Sequence, residues 1–212
     1  MTGQEGTDVG VRSAGLSSAT LHEAAGRVGA LPAVIRPVHP DFELRGPAYP
    51  VACTPGHNLW IHRAVYAAPA GSILVVNVGD GVDYGYWGEV LAVAAVARGL
   101  RGLVINGGVR DATQLAAMNF PVFSAAVTLR GTGKDPRGAG SLGEPVAIGE
   151  VTVHAGDLVV GDADGVVVIP AERVAEVVAA SHRREADEAA YMDRLRAGES
   201  TMAIYGLPEV TS

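Results

Sequence analysis

The sequence predicts an α/β fold, a single mixed domain with a central parallel βαβαβ unit and additional short strands around it. Three features predict it. Strand-length apolar runs at residues 72–77, 102–106 and 121–124 alternate with helical stretches. The first run is apolar without a polar face, as in a strand covered on both sides. The spacing between runs leaves room for one helix per connection, which joins parallel strands by right-handed crossovers.

Residues 1 to about 14 are polar and glycine-rich, so residues 1–16 are expected to form a flexible tail ahead of one domain over residues 17–212. Ser18 or Thr20 is placed to cap a helix over residues 21–28. Residues 34–36 and 48–53 read as strands separated by proline-containing turns, and residues 57–67 as a helix. A glycine-rich loop over 78–88 follows the first strand of the central unit. An alanine-rich helix over 89–98 comes next, closed by Gly99. The second strand leads through the turn Gly107, Gly108, Val109 into a short helix from near Asp111 to Met118. Beyond Thr128, a long glycine-rich loop over 131–143 precedes short strands at 146–148, 151–153, 158–160 and 166–169. Pro170 opens a long charged helix to about Arg196, whose exposed surface suits a subunit contact. No linker composition or internal repeat divides the chain.

Hydrophobic residues make up 48% of the 212 and charged residues 18%, which places the chain among globular rather than disordered proteins. A net charge of -7 with no basic cluster argues against a nucleic-acid partner. No apolar run is long enough for a bilayer, and the N-terminus lacks a basic region followed by a hydrophobic one, so a cytoplasmic protein without membrane contact is expected. The one cysteine, Cys53, excludes an internal disulfide and cysteine-rich zinc sites, and its apolar surroundings read as a buried strand. Lys134 is the sole lysine and lies in a loop rich in Gly and Pro. A Schiff-base lysine needs desolvation to lower its pKa, and such a loop is a poor place for one. Carbanion chemistry in this chain therefore points to a metal. Histidine does not supply the ligands: His57 and His62 are five apart and share no helix face, and His22, His39, His154 and His182 form no metal-like grouping.

Loops that follow consecutive parallel strands emerge at one edge of the sheet, where ligands bind. The loop carrying Gly85 to Glu89 and the turn carrying Val109, Arg110 and Asp111 are thereby brought side by side. Each leads into a helix whose first free N–H groups attract anions, and the amides of Val90 and Leu91 are placed toward that edge. Arg110 adds a planar charged fork for a carboxylate or enolate oxygen. Asp111 and Glu89 supply hard oxygen ligands of the kind Mg²⁺ or Mn²⁺ takes, and Mg²⁺ needs few protein ligands because it keeps waters. Each residue also has a plain structural reading. Asp111 can be a helix cap, with Gln114 completing a capping-box-like pattern. Glu89 is favourable against a helix dipole without any function. Arg110 can be a surface residue, and the glycines from Gly79 to Gly88 can serve only as turns.

Glu89, twenty intervening residues and then Arg110-Asp111 resemble the acidic-x20-Arg-Asp signature of the 4-hydroxy-4-methyl-2-oxoglutarate/4-carboxy-4-hydroxy-2-oxoadipate aldolases. These belong to the RraA-like superfamily, which also contains regulators of ribonuclease E. Residues 86–92, 98–105 and 107–111 are similar to that family, as are 20–24, 58–64 and 197–200. The resemblance implies a layered α/β/β/α sandwich and a metal-dependent aldolase that cleaves 4-hydroxy-2-oxo acids to pyruvate, with oxaloacetate decarboxylase side activity. It implies that Asp111 binds a divalent metal through one direct bond plus ordered waters. It further implies that Arg110 contacts the 2-oxo oxygen, and that Gly88 and the amides of Val90 and Leu91 hold the carboxylate. Glu89 stands where the aldolases carry an acid and the regulators carry glycine. An acid from a neighbouring subunit approaches the metal waters in the aldolases, and Glu188 is the candidate here. The family forms trimers and dimers of trimers, so a homotrimer or homohexamer is expected. The sequence departs from the family at Asn106, which replaces an aspartate, and in the tyrosines Tyr84 and Tyr86. The other branch of the resemblance is a non-catalytic regulator binding a ribonuclease or helicase. A third is a related lyase recruited to a specialised pathway.

Overall fold

The computed structural model describes residue 13 and residues 15–208, so the expected tail lies outside the described residues at 1–12 and 14. The first helix, α1 (Ser18–Ala24), starts one turn earlier than the sequence suggests. Ser17, rather than Ser18 or Thr20, is its cap, with the hydroxyl accepting from Thr20 N at 3.0 Å. Ser18 is turned instead toward Asp162, which accepts from its amide at 2.7 Å and from its hydroxyl at 2.6 Å.

The strands and helices that follow, in order, are β1 (Arg36–Pro37), β2 (Leu44–Cys53), α2 (Leu59–Ala67), β3 (Ile73–Asn77), β4 (Gly85–Trp87), α3 (Glu89–Ala97), β5 (Gly102–Val109), α4 (Ala112–Ala117) and β6 (Val122–Val127). Then come β7 (Gly140–Leu142), β8 (Val146–Ile148), β9 (Val151–Val153), β10 (Leu158–Asp162), β11 (Gly165–Ile169), α5 (Val174–Arg196) and α6 (Thr201–Tyr205). Among the described residues a nine-stranded sheet runs β1-β6-β5-β3-β2-β10-β11, with β4 on β5 and β7 on β2. The pairs β2/β3, β3/β5 and β5/β6 are parallel, so the expected βαβαβ unit is present and extends back one strand to β2. The outer pairs β1/β6, β2/β10 and β10/β11 are antiparallel. The sheet curls nearly into a barrel: Arg36 Nη1 donates to Asp164 O at 2.7 Å, and Leu31 N to Val166 O at 2.9 Å, drawing the two ends together.

Period-two alternation explains how both faces of the β10–β11 hairpin are buried. Leu158, Val160, Val167 and Ile169 pack with Leu16, Leu21, Val174 and Val177 beneath α1 and α5. Val159, Val166 and Val168 point the other way, into the main core with Leu74, Val104 and Phe123. Only the first two turns of α5 are held this way, through Val174, Val177, Val178 and Ser181.

The glycines of β5 mark where the sequence reading and the fold part. Gly107 and Gly108 look like a turn, yet the strand continues to Val109. A Cβ on Gly108 would lie 2.4 Å from Thr128 Cγ2 and 2.8 Å from Tyr84 O. Glycine is there so that β4, β5 and the chain after β6 can approach closely. Helix α4 ends on Asn119 at φ 50°, a left-handed position that Asn tolerates better than most residues.

Cys53 ends β2 at 8% exposure, as expected of a strand residue. Burial pushes its thiol up to about 12 and keeps it protonated at neutral pH. Native protein is expected to resist a thiol reagent under conditions that label the denatured chain completely; fast native labelling would show that the β2 end is open.

Candidate functional site

The site is assembled where β4 lies against β5. Gly85 pairs with Gly108 and Trp87 with Val109, and Arg110 N donates to Trp87 O at 2.9 Å. This places Gly88, the residue before α3, against Arg110 and Asp111, the residues before α4. Tyr86 and Trp87 are buried behind them. Tyr86 serves the scaffold, its hydroxyl donating to Gly81 O and accepting from Gly56 N, both at 2.7 Å. Trp87 stacks on Phe120 with centroids 5.8 Å apart.

Asp111 occupies the cap position of α4 but makes no cap bond to that helix. Its backbone is left-handed, φ 58° and ψ 38°, which turns the side chain away from its own first turn. Oδ2 crosses to the neighbouring helix and accepts from Glu89 N at 3.0 Å. The carboxylate thus caps α3, not α4, and the capping-box reading with Gln114 does not hold. Arg110 Nε stands 3.8 Å from the same oxygen, with the two side chains 50% and 37% exposed. An ion pair this open contributes little stability by itself, and both groups stay accessible to a ligand.

Gly88 permits the crossing. A Cβ there would sit 2.3 Å from Asp111 Oδ2 and 3.1 Å from Arg110 Cγ. Its φ of -168° is extended, so the backbone would accept another residue and only the carboxylate forbids it. Gly88→Ala is therefore expected to break the Asp111–Glu89 bond at a cost of about 1 kcal/mol, the usual worth of a cap. Chemical denaturation and loss of Glu89 amide protection would measure it; an unchanged Glu89 amide would show that the carboxylate has room to spare.

With Glu89 N capped, Val90 and Leu91 precede the first helical bond of α3, which runs from Ala92 N to Gly88 O. Their amides remain available. Free helical amides and the Arg110 guanidinium make an anion-attracting corner in a chain of net charge -7. Asp111 brings a hard oxygen to this corner, and Glu89 joins it through its backbone amide while its own side chain is exposed. Oδ1 of Asp111 accepts no hydrogen bond from the described residues, which leaves it open to a cation. Among those residues, no three His, Cys, Asp or Glu side chains gather into a metal-holding group. The donor set therefore fits a hard ion that keeps waters and takes substrate oxygens, such as Mg²⁺ or Mn²⁺, and does not fit tetrahedral zinc.

Glu188 stands apart on α5, where Arg184 Nε holds it at 2.8 Å. It lines a groove of about 360 Å³ with Arg183, Asp187, Tyr191 and Tyr205. Lys134 is exposed, with no burial to desolvate it. Nearby His62 has its pKa lowered by partial burial and then by the charge of Lys134. Asn106 is structural: its Oδ1 accepts from Val78 N at 2.8 Å and its Nδ2 donates to Asn77 Oδ1 at 3.0 Å. The amide can both donate and accept at that point, which a carboxylate cannot.

The sequence reading missed the chain after β6. Gly85 N donates to Arg130 O at 2.7 Å, and the Arg130 guanidinium lies 4.4 Å above the Tyr84 ring. The rule that found Arg110, a loop leaving the carboxyl end of a parallel strand, applies equally to Arg130 after Val127.

A family model described as RraA-like, Aldolase/RraA, matches residues 13–168. A Halalkalibacterium halodurans protein named "Putative 4-hydroxy-4-methyl-2-oxoglutarate aldolase" is 32% identical over 160 residues, spanning 76% of this chain and 75% of its own. Among solved structures, an uncharacterized protein from Pseudomonas syringae pv. tomato superposes with a TM-score of 0.78 at 27% identity, covering 94% of this chain and 97% of its own. Streptomyces coelicolor RraAS2, described as an unusual member of the RNase ES inhibitor RraA protein family, gives 0.74 at 25% identity, covering 89% and 98%.

Proposed function

The chain belongs to the RraA-like family, Aldolase/RraA, and from that premise we propose that it is a divalent-cation-dependent carbon–carbon lyase that releases pyruvate from 4-hydroxy-2-oxo acids and decarboxylates oxaloacetate. The observation that carries the reading is the Asp111 carboxylate crossing to Glu89 N beside Arg110. It brings an acid, a guanidinium and a second acidic residue to one sheet edge next to two free amides.

In this reading Asp111 would hold Mg²⁺ or Mn²⁺, with Glu89 close by and Glu188 contributed by a neighbouring subunit. Bound there, the ion would supply Lewis-acid polarisation. The amides of Val90 and Leu91 bind the substrate's carboxylate, and Gly88 leaves Asp111 room beside it. Glu89 takes the proton of the 4-hydroxyl, whose O–H electrons become the new carbonyl bond. The C3–C4 bond breaks and its pair passes into the enolate of pyruvate. Arg110 stabilises the charge gathering on the enolate oxygen until C3 takes the proton back from Glu89. Loss of CO₂ from oxaloacetate leaves the same enolate, so Arg110 and the α3 amides serve both reactions, while Glu89 has no 4-hydroxyl to deprotonate in the second.

A homotrimer or homohexamer is part of the proposal. Val90, Val93 and Val96 recur along the outer side of α3 at 78%, 54% and 53% exposure, an apolar ridge suited to a subunit contact. No described helix is long and apolar enough to cross a membrane.

The test is pyruvate release from a panel of 4-hydroxy-2-oxo acids, with Mg²⁺ or Mn²⁺ and again after EDTA. Cation-dependent release is expected from at least one substrate, and full activity in stripped protein would remove the metal from the mechanism. A second reading is a non-catalytic regulator that binds a ribonuclease or helicase; the Streptomyces neighbour, of an RNase ES inhibitor family, supports its ribonuclease arm. Absence of pyruvate from every substrate, with capture of either partner, would favour it.

A further inference from the structure

We propose that His57 is an acid-released latch: its neutral imidazole holds the strap between β6 and β7 shut against the start of α2, and protonation frees the turn at 134–137. The latch is built beside strand β4 and stands whichever reaction the site performs.

The strap crosses the residues that lead into α2 and is tied to them on both sides of that turn. Gly133 N donates to Gly56 O at 2.8 Å, and Asn58 N donates to Gly133 O at 3.1 Å. Further on, Trp60 Nε1 donates to Gly138 O at 2.9 Å and Thr54 Oγ1 to Ala139 O at 2.6 Å. Between these ties the amide of Asp135 donates to His57 Nδ1 at 3.1 Å. A Cβ on Gly133 would lie 2.7 Å from the same nitrogen, so the ring is seated directly on the strap backbone. Both partners reach β4. Arg130 O, in the strap, accepts from Gly85 N at 2.7 Å, and the Cβ position of Gly85 is 3.4 Å from Arg110 Cβ. Asn58 Nδ2 donates to Tyr86 O at 2.9 Å, two residues before Gly88.

A backbone amide can only donate, so Nδ1 holds a lone pair and the ring proton sits on Nε2. The other ties join amides, carbonyls, a hydroxyl and an indole, none of which titrates near neutrality. Histidine does, changing charge between about pH 5 and 8. Protonation makes Nδ1 a donor facing a donor, and the bond is lost. The latch is therefore closed while the ring is neutral and opens as pH falls. No carboxylate stands ready to replace the lost bond. His39, His154 and His182 each have a carboxylate oxygen nearby, at 3.7, 3.6 and 3.5 Å, whereas His57 forms no such pair among the described residues. Asp135 turns its own carboxylate to Arg137, with Oδ1 accepting from Arg137 N at 2.9 Å and standing 3.8 Å from Arg137 Nε. The remaining titratable neighbours are cationic or neutral. Lys134 precedes Asp135, and its charge reaches His62 on α2, whose pKa is lowered first by partial burial and then by that lysine. Tyr84 comes within 3.3 Å of the Gly56 Cβ position, with the Arg130 guanidinium 4.4 Å from its ring.

Lys134 is the sole lysine, so a lysine-specific endopeptidase cuts only at the peptide bond whose amide the latch holds. Cleavage of the full chain is measured at about pH 7.5 and about pH 5.5, on either side of the histidine range. Each rate is divided by that of a free peptide of residues 130–140 at the same pH, which cancels the protease's own pH dependence. The normalised rate is expected to rise about fivefold or more on acidification, the scale of one net hydrogen bond. His57→Asn offers a side-chain oxygen that does not titrate and is expected to stay slow at both pH values. His57→Ala is expected to be fast at both. Amide exchange on the wild-type chain reads the same event without a variant: Asp135 should lose protection as the His57 ring takes its proton, while Gly133 keeps its own. Equal wild-type rates at the two pH values overturn the proposal, as does the same acid rise in His57→Asn or an Asp135 amide protected throughout the ring's titration. No readout involves a 2-oxo acid, so a failure here and a failure of the lyase reading are seen separately.

Discussion

Asp111→Asn is expected to lower pyruvate release by about two to four orders of magnitude while leaving the fold intact. A bound cation's stabilisation of developing charge is worth several kcal/mol, and each ~1.4 kcal/mol is tenfold in rate. Asparagine is the informative replacement because residue 111 is left-handed at φ 58°. Asn adopts that conformation nearly as readily as Asp, and its side-chain carbonyl can still accept from Glu89 N. Only the charge is lost. Asp111→Ala removes the α3 cap and places a residue without a local hydrogen bond in the left-handed region, a combined cost of about 2–3 kcal/mol. Its activity loss would mix chemistry with folding. The pair separates them: Asn with a wild-type melting temperature and abolished turnover, Ala with both reduced. Near-wild-type turnover by the Asn variant would end the role of the carboxylate.

Arg110→Ala is expected to cost about two to three orders of magnitude in turnover, the effect of removing one donor aimed at a developing oxyanion. Oxaloacetate decarboxylation should fall in parallel with aldol cleavage, because both pass through the enolate of pyruvate. Stability should barely change. The arginine joins the sheet edge through its backbone amide, bonded to Trp87 O, which alanine retains. Its side chain is half exposed and pairs only loosely with Asp111 at 3.8 Å. Arg110→Lys keeps the charge without the planar fork and should recover part of the loss. Wild-type decarboxylation by the alanine variant would remove Arg110 from the enolate.

The sequence was informative wherever function follows from chain order. Parallel strands joined by helices must put successive loops at one edge, so the meeting of residue 88–91 backbone with Arg110 and Asp111 could be foreseen. Other features could not. Gly107 and Gly108 have the composition of a turn, and what requires glycine in the strand is the nearness of Val78 and Tyr86 to the first and of Thr128 and Tyr84 to the second, all remote in the chain. Asp111 followed by Gln114 has the spacing of a local cap, and only its left-handed backbone sends the carboxylate to another helix. Arg130 carried no motif at all; its neighbours Tyr84 and Gly85 are more than forty residues earlier.

By itself the sequence determined the α/β class, the parallel central unit, and the sheet edge at which the loop before α3 and the turn before α4 meet. Those properties depend on periodicity, composition and connection length, which are local. The tertiary structure alone decided which helix Asp111 caps, why residue 88 has no side chain, and that two arginines flank Gly85. Each of these is a contact of a few ångströms between segments remote in sequence, set by strand register and packing rather than by any residue's own preference.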